Sequence, residues 1–138
     1  MSSSLHWAAH YIGLPWRAGA RGPQAYDCWG LFLAIQRAQF GRQLPEIPVD
    51  ATDLRAIAGT FKSHPERRHW ALVTVPSTGD AVLLRQSRHP IHVGIWLEAD
   101  GGGVLHCVKD SGVVYQRIPE LLLHGWRVEG FYQFMERS

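Results

Sequence analysis

At 138 residues, with 46% apolar and 19% charged side chains, the chain can build one domain with a core and is too apolar to be disordered. A formal net charge of +2 is too small for a charge-driven nucleic-acid binder, though it tolerates a polyanionic partner, and two cysteines do not make a disulfide scaffold. No apolar run nears the roughly 20 residues that span a bilayer, and Met1 to Trp7 has neither the basic nor the apolar stretch of a signal peptide. The expectation is a single domain over residues 1–138, made as a soluble cytoplasmic chain.

In chain order, Ser3 or Ser4 is placed to cap a short helix through Tyr11, with Leu5, Ala8, Ala9 and Ile12 as its apolar stripe and Gly13 as its stop. A Gly/Pro/Ala-rich loop from Ala18 to Ala25 leads to Tyr26-Asp27-Cys28-Trp29-Gly30-Leu31. From Trp29 to Phe40 the large apolar residues recur in steps of three and four, which predicts a mostly buried helix ending before Gly41. Leu44 to Pro48 reads as extended, Asp53 to Phe61 as a weaker helix and Ser63 to Arg68 as a polar turn. The period then changes. Trp70–Val75, Ala81–Leu84, Ile91–Leu97, Val104–Val108, Val113–Arg117 and Trp126–Phe134 read as strands. Ile118 to Leu123 makes a helical turn with Pro119 at its first position. Helices first and antiparallel strands after is an α+β layout.

Cys28 would sit in the first turn of the central helix, where unpaired N–H groups and the positive end of the dipole lower a thiol pKa. Asp27 before it is a good N-cap. A cysteine so placed is a candidate nucleophile if the chain also offers a histidine. Alternation along Ile91–Leu97 puts His92, Gly94 and Trp96 on one face and Val93, Ile95 and Leu97 on the other. The following hairpin brings His106 beside His92. A thiol, a histidine that moves its proton and a second polar group that orients that histidine meet the needs of thiol catalysis.

These residues carry a resemblance. The Tyr26–Leu31 motif, then Gly79-Asp80-Ala81-Val82-Leu83, His92-Val93-Gly94-Ile95-Trp96 and Val104-Leu105-His106, resemble the NlpC family of cell-wall cysteine peptidases. Tyr11-Ile12-Gly13-Leu14-Pro15-Trp16 and the Trp after the cysteine are similar to its phage tail-assembly and tail-tip branch. The resemblance implies a papain-like α+β fold, with the nucleophile at a helix N-terminus packed on a C-terminal antiparallel sheet. It implies a cysteine endopeptidase acting on peptidoglycan stem peptides through a thioester. Cys28 would be the nucleophile, His92 the base and His106 the orienting residue. Tyr26 would stand near the oxyanion, Asp27 would meet the substrate's amino group, and Trp29 and Trp96 would line the cleft, unless Trp29 turns inward. No cofactor and no metal are expected. Partners would be stem peptides and other tail proteins, with no nucleic acid and no membrane span, and the place of action a virion tail at the cell wall. The alternatives are a structural tail-tip subunit with a vestigial site and a papain-like amidase or acyltransferase.

Cys107 alternates away from His106 and reads as a buried thiol, its rival being a disulfide with Cys28. His6, His10, His64, His69, His89 and His124 show no partner pattern. A metal site built from Cys28, His92, His106 and Cys107 lacks any close Cys-x-x-Cys or His-x-x-x-His spacing.

Overall fold

Asp27 begins the long helix. Its extended backbone and its Oδ1, which accepts the Gly30 N–H at 2.7 Å, form a side-chain cap on α1 (Cys28–Phe40). Gly41 ends the helix in the left-handed conformation, φ 66°, where its N–H bonds back to the Arg37 and Gln36 carbonyls. Cys28, Trp29, Gly30, Leu31, Phe32, Leu33, Ile35 and Gln36 are all buried, so the first two turns are covered almost all round. Each fully buried Leu, Ile or Phe among them contributes about 1.5–3 kcal/mol.

The computed structural model describes residues 7–44, 70–86 and 92–135. The helix expected at 53–61, the turn at 63–68, the Leu44–Pro48 segment beyond Leu44 and the Ser3 or Ser4 cap lie outside them. After α1 come β1 (Trp70–Val73), β2 (Ala81–Gln86), β3 (His92–Leu97), a 3-10 turn (Ala99–Gly101), β4 (Gly103–Val108), β5 (Gly112–Gln116), α2 (Ile118–Leu123) and β6 (Trp126–Phe134). The strands form one sheet in the order β1-β6-β2-β3-β4-β5, each pair antiparallel. β6, the last of the described strands, lies between β1 and β2, and its register with β2 shifts between Leu83 and Leu84.

Both faces of the sheet are covered. On one, α1 packs with Ala81, Leu83, Val93, Ile95, Leu97, Leu105 and Cys107. On the other, Val82, Leu84 and Val104 gather with Leu121 of α2 and Trp126. This explains why Ala81–Leu84 reads as a continuous apolar run, since a strand buried on both sides does not alternate. The C-terminal end of α1 is tied to the turn before β2 by polar contacts. Gln36 Nε2 donates to the Gly79 carbonyl at 2.9 Å, and Arg42 donates to Gln36 Oε1 at 2.9 Å. The Arg42 guanidinium lies 5.0 Å from the Phe40 ring centre and 4.9 Å from that of Phe134.

Candidate active site

The loop before α1 is organised by one carboxylate. Asp27 Oδ1 accepts from Arg21 at 2.8 Å as well as from Gly30, and Oδ2 accepts the Gly19 N–H at 3.1 Å. The loop is thereby pinned to the helix end, and the Ala20 carbonyl comes so close to Gly30 that a Cβ there would collide with it. Cys28 follows as the first residue of α1. The N–H groups of Val93 and Trp29 reach its sulfur. The Val93 N–H belongs to the peptide that follows His92, so the sulfur rests against the start of β3.

The expectation of a lowered thiol pKa is not met. Burial pushes the Cys28 thiol up to about 12, and the neighbouring Asp27 carboxylate pushes the same way. The Val93 and Trp29 N–H groups pull it down without reversing the sum. The physical reason is twofold. A thiolate in a dry site loses its hydration, and the cap that terminates α1 is a full negative charge set against about half a positive charge from the helix dipole. The resting site therefore holds a thiol.

The two histidines meet as their parity predicts. On β3 and β4, Ile95 pairs with Leu105 and Trp96 with Val104, which sets Gly94 opposite His106 on the face that also carries His92. A Cβ on Gly94 would run into Val104, lie 3.0 Å from His106 Cβ and 3.1 Å from the Leu105 carbonyl. The missing side chain is the room through which His106 leans toward His92. His92 Nε2 and His106 Nδ1 are 3.0 Å apart, and His106 Nε2 is 2.7 Å from Gln116 Oε1. Burial holds His92 well below the usual imidazole range, with His106 adding to the effect. Burial also takes His106 down to about 4, against the bond to Gln116, which raises it. Both rings are thus neutral at pH 7. Trp126 encloses the pair, stacking on His92 at 4.8 Å and 29° and meeting His106 edge-on at 5.7 Å.

The remaining sequence candidates fall around this row. Tyr26 is buried, with its ring over Gly22 and 6.1 Å from that of Tyr11. Both Asp27 oxygens are engaged, so a substrate amino group meeting this carboxylate would have to displace a donor such as Arg21. Trp29 takes the inward orientation, 1% exposed and stacked on Phe32 at 5.3 Å. Trp96 shares the His92 face but lies at the far end of β3, edge-on to Phe131 and against Gly102. Cys28 and Cys107 are both free thiols, and Cys107 donates to the Tyr26 carbonyl at 3.1 Å. Among the described residues no group of three His, Cys, Asp or Glu side chains is arranged to hold a metal ion.

The model of the NlpC/P60 family matches residues 13–127, from the loop before the cysteine to the start of β6. The chain belongs to the NlpC/P60 family. Membership supports a cell-wall cysteine peptidase or amidase kind of function. Among solved structures, NlpC1 from Trichomonas vaginalis is similar, with a TM-score of 0.60 and 17% identity over 96% of this chain. The match covers 43% of that chain, so this NlpC/P60 domain spans less than half of the neighbour's length. At that identity the likeness is one of fold, and the fold is papain-like, an N-terminal helix packed on a six-stranded antiparallel sheet. No curated protein matches the sequence at a significant level.

Three residues around the row in this NlpC/P60 domain escaped the sequence reading. Gln116 looks like an ordinary polar strand end, yet the parity of β5 sets it on the His106 face, since His106 pairs with Val114 and Val104 with Gln116. Trp126 looks like one more core aromatic. His124, which shows no partner pattern in sequence, lies 3.3 Å through its Nδ1 from Gln116 Nε2. Strand parity could have found Gln116; the other two depend on how α2 turns into β6.

Proposed function

We propose that the chain is a cysteine endopeptidase of peptidoglycan stem peptides, working through a thioester on Cys28. The observation that carries the reading is the bonded row His92–His106–Gln116 beginning at the strand end against which the Cys28 sulfur rests. In the resting site both thiol and imidazole are neutral, so proton transfer accompanies attack. His92 takes the thiol proton as sulfur bonds to the amide carbon. The oxyanion falls to the Cys28 N–H, in the first turn of α1, with the Tyr26 hydroxyl as a second donor. The C–N bond breaks as His92 returns the proton to the leaving amine. Water, deprotonated by His92, then attacks the thioester carbon, the C–S bond breaks, and the proton held by His92 returns to the Cys28 sulfur. His106 holds the His92 ring throughout.

The likeness of Tyr11–Trp16 to the tail-assembly branch supports delivery in a phage or prophage tail, with synthesis in the host cytoplasm and action at the wall. Among the described residues no helix is long and apolar enough to cross a membrane.

Purified peptidoglycan digested with the protein, with product masses read, tests the activity and names the bond. Cys28→Ala is expected to keep the fold and abolish release of peptides, and persistence of wild-type digestion in that variant would sink the proposal. His106→Asn is expected to retain more activity than His106→Ala, whereas no substitution at His92 restores turnover.

A further inference from the structure

We infer that Gln116 is a positioning residue whose amide oxygen decides which ring nitrogen of His92 is left bare. The inference rests on the reading above, in which His92 is the base. A neutral imidazole has one N–H and one lone pair, so a bond between two such rings has a direction, and fixing one end fixes the whole row.

The row can be followed atom by atom. An amide oxygen only accepts, so Gln116 Oε1 at 2.7 Å requires a proton on His106 Nε2. His106 Nδ1 is then a lone pair. At 3.0 Å it must accept from His92 Nε2, which therefore carries the proton of that ring. His92 Nδ1 is left bare, the state in which it can accept a proton from a thiol. With the amide turned over, its nitrogen would donate to His106 Nε2, every proton would move to the other nitrogen, and His92 Nδ1 would become an N–H. A second proton on either ring would also break the order, and burial opposes it at both.

The outer end of the amide does not pull it the other way. Gln116 Nε2 lies 3.3 Å from His124 Nδ1, at the exposed C-terminal end of α2. His124 Nδ1 is nearer, at 2.9 Å, to the Glu120 carbonyl, which can only accept. A proton on His124 Nδ1 is thus taken by Glu120 rather than drawing the Gln116 oxygen outward. The amide N–H groups face the exposed side, where water can satisfy them.

The test begins without substrate. In protein labelled with ¹⁵N-histidine, long-range proton–nitrogen correlation reads the tautomer of each ring. The expected result is a proton on Nε2 and none on Nδ1 for both His92 and His106; a proton on His92 Nδ1 in the wild type overturns the inference. Gln116→Glu, whose ionised carboxylate only accepts, should keep the proton on Nε2 of His106 in the same spectra. Gln116→Leu, similar in length and unable to accept, should show mixed tautomers, with kcat on a stem peptide lower by roughly 10- to 100-fold and KM little changed. Wild-type tautomers and kcat in Gln116→Leu would also overturn it. Loss of turnover in every protein, wild type included, counts against the peptidase reading, while the tautomers are still decided by the spectra.

Discussion

At the scale of single residues, the site depends on atoms that are absent as much as on those present. Gly94 leaves the space through which His106 reaches His92, and the atoms around that space are stiff: a buried valine, the His106 Cβ and a strand carbonyl. Gly94→Ala is expected to cost about 1–3 kcal/mol, as overpacked cores do, and to lower turnover by separating the rings. Urea unfolding and kcat of the same variant check it, and wild-type values for both would show that the strands yield. The thiol gives a second prediction. With its pKa up at about 12, Cys28 in the substrate-free protein should react slowly with iodoacetamide at pH 7, and its rate should climb steadily above pH 9. Mass mapping separates it from Cys107, and an inflection below pH 7 would reveal a preformed thiolate–imidazolium pair. Which residues to suspect was legible here, because helix placement and strand parity are local properties. The protonation state was not, because it follows from how closely α1 seats on the sheet and from the charge of the Asp27 cap.

At the scale of elements, the pairing of β3 with β4 sets two neutral histidines in a dry layer. Each has a folded pKa below that of the free side chain, so between the two values the unfolded chain binds protons that the folded chain does not. Stability from this pair is therefore present above about pH 6.5 and is lost as the pH falls. For His106 the window runs from about 6.5 down to about 4 and is worth on the order of 3 kcal/mol. Urea midpoints measured from pH 7 to pH 4 should fall, and His106→Gln should flatten the slope; an unchanged slope in that variant would place the acid sensitivity elsewhere. Asp80, raised chiefly by burial, acts in the opposite sense, and the comparison between variants removes its share. The short helix from Ile118 to Leu123 could be read from period and turn residues to the residue, and the strands to within two residues at their ends. Strand order could not, since nothing local tells β6 to enter beside β2 and bring Trp126 under the histidines.

At the scale of the molecule, the proposed nucleophile and the histidine row come from different parts of the chain, and the Cys28 sulfur reaches the start of β3 only because α1 is seated on the sheet. The seat is held at its far end by Gln36, whose amide satisfies the buried Gly79 carbonyl. Gln36→Ala should cost about 1–3 kcal/mol by removing the shorter of the two bonds to that carbonyl, which keeps only the one from Arg42 at 3.3 Å, and by taking away the oxygen that Arg42 bonds. Eight residues, roughly 12 Å of helix, separate it from Cys28, so kcat at a permissive temperature should change by less than about twofold. A loss of kcat as large as that of a site variant would mean that helix seating and catalysis are one event. The place of β6 has a consequence for how the molecule comes into being. A ribosome releases the cysteine first, then His92, His106 and Gln116, and only afterwards the strand that lies between β1 and β2. Until that strand emerges, β1 and β2 have no neighbour to join them and the histidines have no Trp126 beside them. A growing chain thus carries the cysteine, both histidines and Gln116 before the strand that completes their surroundings has emerged.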